Sequence, residues 1–306
     1  MRVAIVGAGG VGGYLGVRLA QTGQEVAWLA RGRNLAHLRD RGVTLTSPLG
    51  DVTLGPQRVS DKAEALGAAD LIILAVKLYD LGELASRLRP LLGPGSAVLP
   101  LQNGVEAHAI LAAHLPTEAL LKGTVSIKSR LAGPGEIVCK SPFCRITFGE
   151  GAGPPGPRAR AIAATLNAGQ GVEAALSPDI DAAIWKKFVM LSSFSAVSCL
   201  SRASIGEILA SPEAVELVLA AANEAAAVGR ALGVALPEDI AELVHSQVRD
   251  MPKDGRASML EDLEAGRRLE LDFLSGSVVK LGRQVGQATP VHWTAYQALA
   301  RHAGGR

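Results

Sequence analysis

Two lysines and a glutamate stand among neighbours unlike them. Lys186 and Lys187 head the segment "AAIWKKFVMLSSFSAVSCL", Ala182 to Leu200, which carries no further charge until Arg202. Read as a helix, the segment places Ala183, Ile184, Leu191, Phe194, Ser195 and Ser198 on the Lys187 face. Lys186 shares its face with Ala182, Val189, Met190, Ser193 and Val197. Neither lysine has a polar stripe to lie on. A helix apolar on every side is normally buried, and a buried ammonium is costly unless it is paired or discharged. Lysines in a first turn can also reach back to water, so the pattern alone leaves both residues open. In "RASMLEDLEAGRRLELDFLSGSV", helical steps from Met259 give Leu263, Gly266, Glu270, Phe273 and Ser277, so Glu270 falls where a leucine is expected; the stripe is not strict, and an exposed glutamate is the alternative. A buried ammonium and a buried carboxylate in one domain suggest a pair that satisfies itself beside a cleft.

A second constellation lies at the N-terminus. The β-branched run "RVAIVGAG" breaks at Gly7, and the glycines fall as Gly7-x-Gly9-x-x-Gly12, with Gly10 in the same turn. This spacing is a dinucleotide fingerprint when a strand precedes it and a helix follows. The first glycine permits the turn, the second lets backbone approach a pyrophosphate, and the third lets the helix pack on the strand. The following helix "VGGYLGVRLAQTG" and the strand "EVAWLA" complete a βαβ unit, whose helix N-terminus favours negative charge. The second strand ends in "WLARGR", without the acid that usually meets the ribose 2′-hydroxyl of NAD. Arg31 and Arg33 can pair with a 2′-phosphate through forked hydrogen bonds, so NADP(H) is the expected cofactor.

These groups need elements to position them. "ADLIILAVK", "LYDLGELASRLRPLL", "GSAVLPLQNGVE" and "AHAILAAHL" continue the alternation of apolar strands and amphipathic helices, which predicts a parallel sheet with helices on both faces. Lys77 and Asn103 follow strand ends, where open α/β sheets bind ligands. A turn asparagine and a solvent-reaching lysine are the alternatives at those two positions. Residues 123–149 read as short strands and turns, followed by the loop "GAGPPGPR" and a helix to Asn167. Beyond Ser177 the pattern is helical. The expected fold is therefore α/β, with a Rossmann-type parallel-sheet domain over 1–176 followed by an all-helical domain over 177–306.

Composition bounds the partners. A chain of 306 residues, 48% hydrophobic and 20% charged, suits two globular domains. Its 31 basic and 29 acidic residues are interspersed, which offers no footprint for nucleic acid or a membrane surface. No uninterrupted apolar run is long enough to span a bilayer, and the N-terminal run is broken by glycines. Cys139, Cys144 and Cys199 form neither an even set nor a CxxC pair, so no disulfide framework or metal site is signalled and a reducing cytoplasm is expected.

Taken in order, "GAGGVG", "AVK", "QNG", "WKKF", "GEIL" and "SMLEDLEAGRRLELDFLSG" resemble the ketopantoate reductase (2-dehydropantoate 2-reductase) family over nearly the whole chain. The resemblance implies a Rossmann domain, a helical domain, and NADPH-dependent reduction of the 2-keto group of ketopantoate in pantothenate synthesis. It implies that Lys187, rather than Lys186, is the catalytic general acid, that Glu270 is the essential glutamate, and that Ser258 binds substrate. Lys77 and Asn103 match residues lining the cofactor and substrate cleft. Typical members carry two asparagines one and two turns beyond the lysine, where this chain has Leu191 and Ser195; Ser195 is thereby a candidate substrate contact. Leucine cannot replace an amide's donor and acceptor. The resemblance thus leaves room for another small 2-oxo acid, or for a non-catalytic NADP(H)-binding sensor, and a homodimer is a candidate assembly.

Overall fold

The computed structural model of the chain describes every residue except Ala152. The loop expected over 151–158 includes that residue, which lies outside the described ones. Two compact units divide the chain: one comprises 1–102 and 107–180, the other 103–106 and 181–306. The division therefore falls four residues beyond the expected 176/177 boundary, and the short segment Asn103–Glu106 folds with the helical unit although its flanks fold with the sheet.

In the first unit, β1 (Arg2–Val6), α1 (Gly10–Gln21), β2 (Glu25–Leu29) and α2 (Gly32–Asp40) are followed by the short strands β3 (Val43–Thr46), β4 (Val52–Leu54) and β5 (Arg58–Ser60). Next come β6 (Ala69–Leu74), α3 (Leu78–Ala85), β7 (Leu92–Pro100) and α4 (Ala107–Ala112). The unit closes with β8 (Lys122–Ser126), β9 (Ser129–Gly133), β10 (Glu136–Cys139), β11 (Cys144–Gly149), α5 (Pro157–Asn167) and β12 (Val172–Leu176). Its main sheet is wholly parallel, in the order β5-β2-β1-β6-β7, which puts the reversal of strand order between β1 and β6. That is where a doubly wound sheet opens a ligand crevice. Strands β1, β2 and β6 are buried at nearly every position, as expected of strands covered on both faces. Two smaller mixed sheets, β4-β3-β10-β9 and β12-β11-β8, complete the unit.

The second unit is built from helices: α6 (Ile180–Ser201), α7 (Ile205–Leu209), α8 (Pro212–Ala231), α9 (Ile240–Arg249), α10 (Ser258–Glu264), α11 (Ser275–Gln284) and α12 (Pro290–Leu299). Helix α6 is the one helix among the described residues long and apolar enough to cross a membrane. Here its Trp185, Phe188, Val189, Phe194 and Val197 form part of the helical unit's own core. The helix stops at Arg202, whose φ of 57° turns the chain left-handed, and Ala203 N–H donates to the Ser198 carbonyl. Helix α7 then starts at a reciprocal cap, Ser204 and Glu207 each bonding the other's backbone N–H.

The stripe from Met259 to Ser277 is not one helix. Helix α10 ends at Glu264, Gly266 adopts a φ of +64°, and Arg267 N–H closes back on the Asp262 carbonyl. Leu269, Glu270 and Leu271 are buried beyond the end of α10, and Glu270 immediately precedes a short 3₁₀ turn at Leu271–Phe273. At the far end, α12 is tied down by Glu224 of α8, whose carboxylate accepts the backbone N–H groups of Val291 and His292. The three cysteines are buried thiols, and burial pushes that of Cys199 up to about 12.

Candidate active site

Gly7 makes the turn out of β1 with a φ of +97°, and a Cβ there would meet Val76 Cγ1 at 2.8 Å. Gly12 packs its backbone against the Gly7 carbonyl, where a side chain would collide. Gly10 lies against the backbone of Ser129, whose Oγ donates to the Gly10 carbonyl at 3.0 Å. Gly9 differs from these three: it caps α1, and nothing stands within 4 Å of where its Cβ would be. The half-buried backbone at Gly9 therefore leaves room for a ligand at the start of α1, in the way a pyrophosphate requires.

This turn heads a cleft of about 510 Å³ lined by Gly7, Gly9, Arg31, Asn34, Lys77 and Asp80, among others. Lys77 caps α3, just beyond the carboxyl end of β6. Arg31 caps α2, and its guanidinium pairs with the Asp80 carboxylate at 2.9 Å. Asn34 braces the glycine turn, donating to the Ala8 carbonyl at 2.8 Å while accepting from Gly135 N–H at 2.7 Å. Arg33 is exposed on α2. The turn, the helix N-terminus and the basic side chain after β2 together fit a nicotinamide dinucleotide. Asp80 and Asn34 escaped the sequence reading. Their only signals were position: one turn into the helix after Lys77 and three residues beyond Arg31.

In the helical unit the two lysines part company. Lys186 is exposed, whereas Lys187 is half-buried and its Nζ donates to Asn103 Oδ1 at 3.1 Å. Asn103 is held by its own segment, since Val105 packs on the helical core and Glu106 accepts from Ser277 Oγ and pairs with Lys280 Nζ, both on α11. Leu191 and Ser195 follow Lys187 by one and two turns. Leu191 is half-buried; Ser195 is fully buried and its Oγ has no hydrogen-bond partner among the described residues. Its neighbours on the helix do not share that state, because Ser192 and Ser193 donate to the Val189 carbonyl and Ser198 to that of Ala203. An orphaned buried hydroxyl is costly unless something supplies its partner. Glu270 is 5% exposed in the same unit, and Ser258, the first residue of α10, is exposed. Gln102, passed over in "QNG", reaches back to donate to the Leu74 and Val76 carbonyls at 3.1 and 3.3 Å. Among the described residues no group of three or more His, Cys, Asp or Glu side chains could hold a metal ion.

Residues 3–153 match the family model described as ketopantoate reductase PanE/ApbA, and residues 179–303 match the C-terminal model of the same family. The chain is similar to an uncharacterized oxidoreductase, YkpB, of Bacillus subtilis (strain 168), 31% identical over 299 residues that cover 98% of each chain. It is 30% identical over 311 residues to the 2-dehydropantoate 2-reductase of Mesorhizobium japonicum, covering 95% of this chain and 94% of that one. The crystal structure of the 2-dehydropantoate 2-reductase from Geobacter metallireducens superposes with a TM-score of 0.91 at 28% identity, covering 98% of this chain and 99% of the other. The dinucleotide turn, the parallel sheet followed by helices and these matches lead to one conclusion: the chain belongs to the ketopantoate reductase PanE/ApbA family of nicotinamide-dependent oxidoreductases.

Proposed function

We propose that the chain is an NADPH-dependent reductase of a small 2-oxo acid, with 2-dehydropantoate (ketopantoate), reduced to pantoate in pantothenate and coenzyme A synthesis, as the first candidate. The observation that carries this reading is the hydrogen bond from Lys187 to Asn103, which fixes a half-buried lysine on a largely buried helix. When bound, the reduced nicotinamide supplies a hydride to the 2-keto carbon. Charge then builds on the carbonyl oxygen, and Lys187 Nζ is the group that stabilises it and donates the proton to it, which turns the ammonium into the neutral amine. Asn103 holds Nζ in place through its amide oxygen. Glu270 keeps either the substrate hydroxyl or the lysine in register, and Ser258 and Ser195 offer hydroxyls to the substrate. In the sheet unit, Gly7, Gly9, Gly10 and Gly12 hold the pyrophosphate, Arg31 takes the 2′-phosphate, and Lys77 reaches the cofactor from the cap of α3. Three cysteines held as thiols suit a reducing cytoplasm.

Leu191 favours one variation. It lies half-buried one turn beyond Lys187 and offers neither donor nor acceptor, so a 2-oxo acid with an apolar side chain is the second candidate. The test is the initial rate of NADPH oxidation with ketopantoate and with a panel of small 2-oxo acids, repeated with NADH. A rate on at least one acid, faster with NADPH and abolished in Lys187→Ala, is expected. Absence of turnover on every acid would sink the proposal.

A further inference from the structure

Asp80 stands in the cleft without a role in the reading above. The residues directly after β2, Ala30 to Arg33, contain no acid, and that is what points to a 2′-phosphate. The fold nevertheless brings an acid to the same place from a different element. Asp80, in the first turn of α3, lines the cleft and holds the Arg31 guanidinium at 2.9 Å. Arg31 is otherwise open, with its side chain 82% exposed against 30% for Asp80. The cleft thus presents both kinds of group that read the adenosine ribose: a guanidinium able to fork onto a phosphate, and a carboxylate able to accept a hydroxyl.

We propose that Asp80 sets the cofactor preference of this cleft by competing with a 2′-phosphate for Arg31. The inference rests on the assignment of Arg31 to the 2′-phosphate. When NADPH binds, the phosphate takes over a guanidinium that is already neutralised, and its own negative charge comes to lie beside a carboxylate. When NADH binds, the Arg31–Asp80 pair survives, and the carboxylate's remaining lone pairs are open to the 2′-hydroxyl. Asp80 therefore weakens NADPH binding and leaves NADH binding unharmed or aided, which narrows the discrimination that Arg31 alone would give. Glu83, Asp61 and Arg87 also line the cleft but carry no bond to Arg31 that would make them competitors of this kind.

Direct titration of the purified chain with NADPH and with NADH, followed by the quenching of protein fluorescence, gives the ratio of the two dissociation constants without any substrate. Asp80→Asn is expected to raise the preference for NADPH by about fivefold, mainly by tightening NADPH, and Asp80→Glu should stay near the parent ratio. Arg31→Ala should lower the preference. If Arg31→Ala lowers it while Asp80→Asn leaves it within about twofold of the parent, Arg31 keeps its assignment and the role given to Asp80 is overturned. If Arg31→Ala leaves the ratio unchanged, the assignment of Arg31 falls and the inference falls with it. An aspartate that served only the N-terminus of α3 would lower the melting temperature on replacement and leave the ratio where it was, which also overturns the proposal.

Discussion

Lys187 Nζ donates to Asn103 Oδ1 at 3.1 Å, joining residues 84 positions apart in the sequence. An amide oxygen is a neutral acceptor, so this bond orients Nζ without itself cancelling charge. Lys187→Ala is expected to lower kcat by about 10²- to 10⁴-fold while the NADPH dissociation constant stays near the parent value. Lys186→Ala, which removes an exposed side chain, should change kcat by no more than about twofold. Asn103→Ala should fall between the two. Steady-state rates together with cofactor titration check all three.

Ser195 gives a prediction in which stability and binding move apart. Its Oγ is fully buried and has no partner among the described residues, so Ser195→Ala removes an unsatisfied group and should leave the melting temperature unchanged or raise it by a few degrees. If substrate supplies the missing partner, the same variant raises KM. A rise in melting temperature with an unchanged KM would withdraw Ser195 from the substrate site.

Glu106 fixes the segment that carries Asn103. Its carboxylate accepts from Ser277 and pairs with Lys280, and its side chain is 17% exposed against 53% for Lys280. Glu106→Ala is expected to cost about 1 kcal/mol of stability, since one partner lies near solvent. It should also lower kcat severalfold through a loosened Asn103, with cofactor affinity untouched. Chemical denaturation and kinetics on one preparation would show whether both effects occur.

His292 makes the helical unit sensitive to acid. The ring is fully buried, with Nε2 beside the Ala221 carbonyl at 3.0 Å and Nδ1 beside Ser275 Oγ at 3.3 Å, and burial holds its pKa down to about 4. The unfolded chain takes up this proton near 6.5, whereas the folded chain resists until about 4. Stability from this group is therefore complete above 6.5 and drains away as pH falls toward 4, by on the order of 3 kcal/mol. Glu224, raised by burial, contributes the opposite sign in the acid range, so the difference between parent and variant is the quantity to read. Urea denaturation between pH 7 and pH 4 should show that His292→Gln is less stable at neutral pH but loses less on acidification. Parallel curves would remove His292 as the cause.

The parallel sheet was legible because its strands are covered on both faces and read as unbroken apolar runs. The glycine turn was legible because the positive φ of Gly7 and the approach of Gly12 to the Gly7 carbonyl are local requirements. By contrast β3, β4 and β5, three or four residues each, are too short to show a period. The stripe through Glu270 misled because Met259, Leu263 and Ser277 satisfy a helical step by coincidence, while Gly266 breaks the helix between them. Asp80 was illegible for a different reason. Its partner Arg31 lies 49 positions away, and an ion pair between two surface side chains leaves no periodic trace.

The segment Asn103–Glu106 makes the helical unit discontinuous in sequence. A fragment beginning at Asp181 would lack Val105 from its core and both Asn103 and Glu106 from its polar contacts. The unit cannot be excised or transplanted as one continuous piece. A chimaera that swaps only 181–306 would pair a foreign lysine with the host's asparagine, so exchange between relatives must carry the four-residue segment along.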